Sequence, residues 1–138
     1  MARNIKQLIC SASLLALSGT SLAESVVCHV SYGGTTELIE ALPVVSPYRV
    51  APVAVGSYFL FRIVFQKEPA DLAGIKVYTY ADRDSGPVII HQANYSYPPA
   101  NAAPQGELQR AAVNGFSGLN FVYEPVRDGE LQYWCEIK

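Results

Sequence analysis

Apolar and polar side chains alternate along most of the chain beyond residue 25, which is the period of a half-buried β-strand. Residues 26–32 carry Val, Cys, Val and Tyr at alternate positions, and residues 131–137 carry Leu, Tyr, Cys and Ile in the same way. No stretch shows the three- and four-residue apolar spacing, with capping residues, that indicates a helix. The alternation therefore predicts an all-β chain.

Turn-forming residues separate the alternating runs. Gly33-Gly34 and Asp128-Gly129 suit hairpin turns, because glycine adopts positive φ without steric cost. Residues 57–66 are largely apolar on both faces, which predicts a strand in the middle of its sheet. The sequence leaves residues 98–113 open: a loop rich in proline and alanine is followed by either a short helix or a weak edge strand.

About seven to eight short antiparallel strands predict a single β-sandwich of immunoglobulin-like architecture. A small β-barrel is the alternative. The likeness to immunoglobulin domains is one of architecture, because Trp134 is adjacent to Cys135 and does not lie between two cysteines of inner strands.

Residues 1–23 depart from this pattern and have the features of a cleavable signal peptide. Arg3 and Lys6 give a positively charged start, a mostly apolar stretch follows, and small residues precede a cut after Ala23. The apolar stretch is shorter than the roughly 20 residues that a membrane-spanning helix needs. We therefore expect an exported protein, in the periplasm or outside the cell, with its domain at residues 24–138.

The charge of that domain excludes one class of partner. Its eight lysines and arginines stand against twelve acidic residues, a net charge of −4, and the basic residues form no cluster. Phosphate-driven nucleic-acid binding is therefore not expected. No later segment is long and apolar enough to predict a membrane span.

The cysteines predict a disulfide. Removal of the signal peptide takes Cys10 away and leaves Cys28 and Cys135, an even pair in an exported protein. Their bond would join the first and last predicted strands, within one sheet or across two. It would close a loop spanning nearly the whole domain, which in the chain-entropy model contributes about 4–5 kcal/mol. A redox or metal-binding thiol pair is the alternative, but no C-x-x-C motif is present.

Two histidines are candidate metal ligands. His29 and His91 could bind copper or zinc with an acid such as Glu136. The domain contains no methionine, and the predicted disulfide occupies both cysteines. One exposed and one half-buried histidine of ordinary structural role is the alternative that we favour, so no cofactor is predicted.

No arrangement of catalytic residues stands out. Residues 82–86 resemble the start of a calcium loop, but Pro87 and Ala93 occupy the positions of its glycine and glutamate. Residues 115–118 lack the G-x-S-x-G spacing of a hydrolase nucleophile. An enzymatic role is therefore not favoured.

Tyrosine is plentiful, with nine residues. Tyr78 and Tyr80 share a face of one predicted strand, and Tyr95 and Tyr97 share a face of the next. A short loop joins these two strands, so we expect them to be neighbours. Tyrosine combines a large apolar ring with a polar tip, so an exposed group of them would be a plausible recognition surface. Core and cross-strand packing is the alternative.

These observations favour an exported, non-enzymatic β-sandwich that binds a protein, a peptide or a component of the cell envelope. A periplasmic metal carrier or metalloenzyme using His29 and His91 is a second hypothesis. A structural subunit of an envelope assembly is a third.

Overall fold

The computed structural model describes residues 23–100 and 113–138. Apart from Ala23, the predicted signal peptide lies outside the described residues, as does most of the open segment at 98–113. The described residues form eight strands: β1 (Val26–Tyr32), β2 (Thr35–Ala41), β3 (Val53–Val55), β4 (Phe59–Gln66), β5 (Gly74–Ala81), β6 (Val88–Ser96), β7 (Asn120–Glu124) and β8 (Gly129–Ile137).

The strands form two antiparallel sheets of four, in the orders β2-β1-β8-β7 and β3-β4-β5-β6. The predicted β-sandwich is therefore confirmed. The helical segments of the described residues are two 3-10 turns, Pro47–Arg49 and Ala70–Leu72. Across residues 23–100 and 113–138, no helix has the length and apolar character needed to cross a bilayer.

The core lies between the inner faces of the two sheets. From β4, Phe59, Phe61 and Phe65 are buried, as the alternation of that strand predicts. The Phe61 ring meets that of Tyr133 on β8 edge to face, with 5.1 Å between centroids. Each fully buried side chain of this size contributes roughly 2–3 kcal/mol. Aromatic contacts between the sheets therefore hold the sandwich together.

The predicted central position of β4 is also confirmed, since β3 and β5 flank it. Its outer face is partly covered by the chain that follows β2. There Arg62 donates a hydrogen bond to the Pro47 carbonyl oxygen, and Gln66 donates one to that of Val45. This cover explains why Val64, on the outer face, is buried.

The hairpin joining β1 to β2 turns at Gly33 and Gly34, as predicted, with φ angles of 61° and 81°. Both angles lie in the left-handed region, which the favoured two-residue hairpin turn requires at its two central positions. The turn sets a regular register in which Tyr32 lies opposite Thr35.

The predicted Cys28–Cys135 disulfide is present. The cysteines are 107 residues apart in sequence and lie directly opposite one another on β1 and β8. The sequence left open whether the bond joins one sheet or two, and it lies within one. Ser25 and Lys138, just outside these strands, exchange two backbone hydrogen bonds of 2.8 and 2.9 Å. The two ends of the described fold are therefore adjacent.

Candidate functional site

Tyr78 and Tyr80 lie on the outer face of β5. Their rings are 6.3 Å apart, and the Arg62 guanidinium lies 5.1 Å from the Tyr78 ring centroid. Arg62 also donates a 3.2 Å hydrogen bond to the Tyr80 hydroxyl. Both tyrosines are half-buried. Arg62 therefore engages much of the surface that these tyrosines could offer to a partner.

Tyr95 and Tyr97 follow the inner face of the same sheet. Tyr95 lies opposite the buried Ile75, and its ring packs against that of Phe116. The Tyr97 ring packs against Phe65. Although β5 and β6 are neighbours, as predicted, the tyrosine pairs lie on opposite faces of their sheet and do not form one surface.

The Tyr97 hydroxyl also helps to hold the start of the described fold. It donates a 2.6 Å hydrogen bond to the Glu24 carboxylate, which is 2.7 Å from the Lys67 amino group. The hydrogen bonds from Lys67 and Tyr97 lower the pKa of Glu24. Tyr97 thus has a structural role.

His29 lies on the outer face of the β1–β8 pair. Its ring stacks on Trp134 with 3.7 Å between centroids, and Nε2 lies 2.9 Å from a Glu136 carboxylate oxygen. The Lys138 amino group lies 3.3 Å from the same oxygen. The hydrogen bond with His29, together with that of Lys138, lowers the pKa of Glu136. The acid that the sequence suggested as a partner of His29 is therefore present, but a lysine also binds it.

His91 lies on the inner face of β6, opposite Thr79. Its Nε2 lies 2.7 Å from the hydroxyl of the buried Tyr133. Tyr133 lies on the inner face of the sheet that contains β1 and β8, whereas His29 lies on the outer face of that sheet. The two histidines therefore do not meet. Over residues 23–100 and 113–138, no three side chains of the metal-binding types come close enough to hold an ion.

His91 and Tyr133 belong to a polar network between the sheets. The Tyr95 hydroxyl is also near that of Tyr133, and Asn120 donates a 3.5 Å hydrogen bond to Tyr95. Burial lowers the pKa of His91 and raises the pKa of Tyr133. Both groups are therefore held neutral, with the phenol able to donate to the imidazole.

The depressed pKa of His91 predicts a pH dependence of stability. Unfolding restores an ordinary pKa near 6.5, so the unfolded chain binds more protons and the free energy of unfolding falls as the pH drops below about 7. Urea unfolding at pH 7.5, 6.5 and 5.5 measures this loss, and His91→Gln should reduce it. The pKa values of Glu24 and Glu136 lie below 4.5, outside this range. Equal pH dependence in the variant and the parent would contradict the prediction.

A buried acid that was not predicted from the sequence lies at one end of the sandwich. Glu124, the last residue of β7, is fully buried and accepts a hydrogen bond from the Tyr32 hydroxyl. Arg127 Nε lies 3.3 Å from its other oxygen. Gly129 gives the carboxylate room, since a Cβ there would come within 2.8 Å of it. The signal was available, because Glu124 continues the buried alternation of Val122.

An apolar cleft at one side of the sandwich is a second feature that was not predicted from the sequence. It has a volume of about 310 Å³ and lies between the end of β2, the chain at residues 42–53, and β4. The inner-face residues Phe61 and Ile63 form its floor. Glu40 is the one charged residue among those that line the cleft. The lining consists of Ile39, Glu40, Ala41, Leu42, Val44, Val50, Ala51, Val53, Phe61 and Ile63. A mostly apolar concavity of this size suits side chains of a ligand.

The cleft adjoins the free edge of β2, a strand at the end of its sheet. The Cys28 and Cys135 Cα atoms are 4.0 Å apart, the close spacing of a pair that exchanges no backbone hydrogen bonds. The bonds between Ser25 and Lys138, three positions along, fit this alternation. The backbone groups of Cys28 therefore point toward Ile39 on β2.

The same alternation determines which groups of β2 point outward. If Ile39 bonds to β1, then the N–H and C=O groups of Thr36, Leu38 and Glu40 face away from the sheet. Within residues 23–100 and 113–138, no backbone group is hydrogen-bonded to them from that side. The edge thus combines main-chain groups that have no partner among the described residues with an apolar cleft beside them.

No protein-family model, curated protein or solved structure matches this chain. The fold and the cleft define a disulfide-bonded β-sandwich with an open edge.

Proposed function

We propose that this protein is an exported, non-enzymatic β-sandwich that binds an extended segment of a protein or peptide in the cleft beside β2. The observation that carries this proposal is the position of the cleft, which opens next to main-chain groups of Leu38 and Glu40 that no other described residue pairs with. An extended chain uses both features at once: its side chains fill the cleft and its backbone meets the edge.

Export is supported by two independent features. Residues 1–23 have the charge and hydropathy pattern of a signal peptide. The Cys28–Cys135 bond is of the kind that persists in oxidising compartments such as the periplasm or the extracellular space.

A binding role is supported over a catalytic one because the candidate catalytic groups already have structural partners. Ser117 Oγ accepts a hydrogen bond from the Cys135 N–H and donates one to the Gly118 carbonyl oxygen, at 2.7 and 2.8 Å. His29 and His91 are paired with Glu136 and Tyr133.

The cleft is a better candidate than the predicted tyrosine surface. Tyr78 and Tyr80 make contacts with Arg62, and Tyr95 and Tyr97 pack against the core. Tyr78 and Tyr80 remain a second candidate surface, because they lie on an outer face.

A positive charge placed at the mouth of the cleft should weaken peptide binding. Leu42 lines the cleft and is 58% exposed, so Leu42→Lys should leave the fold intact. We expect the variant to weaken peptide binding at least about tenfold. A tenfold loss of affinity corresponds to about 1.4 kcal/mol, and a leucine that becomes buried on binding contributes more than that. Leu72, at 59% exposure and away from the cleft, gives the matched control Leu72→Lys.

The measurement begins with a library of random displayed dodecapeptides. The full chain is expressed with export to a bacterial periplasm, and the oxidised product is immobilised for selection. Enriched peptides are synthesised with a fluorophore, and their affinities are measured by fluorescence anisotropy. Failure to enrich any peptide, or equal affinity for the parent and Leu42→Lys, would reject the cleft as the binding site.

A further inference from the structure

We infer that the bound segment adds to β2 as an antiparallel strand, and that it carries lysine or arginine beside apolar residues. This inference rests on the proposed function and specifies its partner: an extended, basic and apolar peptide segment.

The backbone of β2 supplies the main-chain part of this recognition. Thr36, Leu38 and Glu40 are alternate residues, so their outward groups are spaced about 7 Å apart along the strand. Alternate residues of an extended peptide have the same spacing. Each of the three can exchange two hydrogen bonds with one residue of an added antiparallel strand.

The side chains of β2 define what the added strand should carry. Ile39 and Ala41 face the inner side and line the cleft, and Glu37 lies on the same face nearer the turn. In an antiparallel pair, residues directly opposite share a face. The inward residues of the partner should therefore be apolar next to Ile39 and Ala41, and basic next to Glu37.

The charge of the edge favours the same partner. Glu37 and Glu40 are both exposed, and no lysine, arginine or histidine of the described residues lies within ion-pair distance of either carboxylate. An inward-facing charge on an edge strand also discourages indiscriminate sheet addition. A segment that presents a cation there would relieve this barrier.

Proline at position 38 tests the main-chain part. The Leu38 N–H points away from β1, so Leu38→Pro removes an outward donor without removing a bond of the β1–β2 ladder. We expect at least a tenfold loss of affinity for the selected peptide. Leu38→Ala, which keeps the N–H, should stay within about threefold of the parent. Circular dichroism of both variants checks the fold.

N-methylation of the synthetic peptide gives a test on the unaltered protein. Methyl groups on one set of alternate residues should abolish binding, and methyl groups on the other set should be tolerated, because an added strand pairs through one edge. The methylated peptides decide whether the segment adds as a strand if Leu38→Pro does not fold. Equal effects of the two sets, or parent-like binding by folded Leu38→Pro, would overturn strand addition.

The charge part has its own readout. Glu37→Gln and Glu40→Gln should each weaken binding of a lysine-containing peptide a few-fold and flatten its salt dependence. Enrichment of acidic or uncharged peptides would overturn the expected basic character of the partner.

Light scattering across a concentration series tests the competing occupant, since a dimer lost in Leu38→Pro would assign the edge to a second copy of the chain.

The two proposals fail in different ways. If Leu42→Lys weakens binding at least about tenfold and the main-chain tests are negative, the cleft binds peptide but strand addition is wrong. If the library yields no peptide that the cleft variant affects, the proposed function itself is wrong.

Discussion

Replacing both Cys28 and Cys135 with alanine should lower the free energy of unfolding by about 4 kcal/mol. The bond closes a loop of 107 residues in the unfolded chain, and the chain-entropy model gives about 4.7 kcal/mol for a loop of that size. Urea unfolding of the parent and the double variant measures the difference. A loss of this size is a large part of the 5–15 kcal/mol typical of a domain.

The folded double variant should nevertheless have the same β-sandwich as the parent protein. Cys28 and Cys135 lie in a regular ladder whose neighbouring pairs, Val27 with Glu136 and His29 with Trp134, do not depend on the sulfur atoms. The parent protein treated with reductant is the control, and it should unfold near the same urea concentration as the variant. Equal stability of the oxidised and reduced parent would contradict the prediction.

Substitution of Gly115 by alanine should also be strongly destabilising, by about 3 kcal/mol. Gly115 has a φ of 60°, and an added Cβ would lie 2.0 Å from the backbone oxygen of Cys135. The left-handed conformation alone costs an L-residue about 1–2 kcal/mol. The clash requires β8 or the chain at 115 to move, which adds a cost typical of overpacking.

Gly118 separates these two contributions. Its φ of 68° is similar, but an added Cβ there would meet nothing within 4 Å. Gly118→Ala should therefore cost about 1 kcal/mol, the strain of the backbone conformation without the clash. Urea unfolding of both variants gives the comparison. If Gly115→Ala costs no more than Gly118→Ala, close packing against Cys135 does not limit the position.

Most of the fold could be predicted because strand alternation is a local property. The inward positions of β1, β4 and β8 follow from counting alternate residues, and the chain buries those residues. The cysteine pair added the one long-range contact available from the sequence. The course of residues 42–53 could not be predicted, because the prolines there exclude a regular strand without specifying an alternative path.

The candidate site was harder to predict because it depends on which strands meet. The alternation correctly grouped Tyr78 with Tyr80 and Tyr95 with Tyr97, but each strand has two faces with large side chains. Which face is buried follows from the pairing of Tyr95 with Ile75, a register that the sequence did not specify.

The surroundings of His29 could have been found by a further step. If Cys28 lies directly opposite Cys135 in an antiparallel pair, then His29 lies opposite Trp134. The stacked pair and the nearby Glu136 follow from that register. The cleft has no comparable signal, because its walls come from both sheets and from an irregular segment.

The hydrogen-bonded backbones of Ser25 and Lys138 place the two ends of the described fold where a short linker could join them. A few added residues could join position 138 to position 24, because two hydrogen bonds already hold the flanking chain together. New ends could then be opened between Gly33 and Gly34, at an exposed turn where chain breaks are tolerated best. Such a circularly permuted chain would begin with β2 and end with β1. The disulfide would then join β8 to β1, two strands that the new peptide linker also connects.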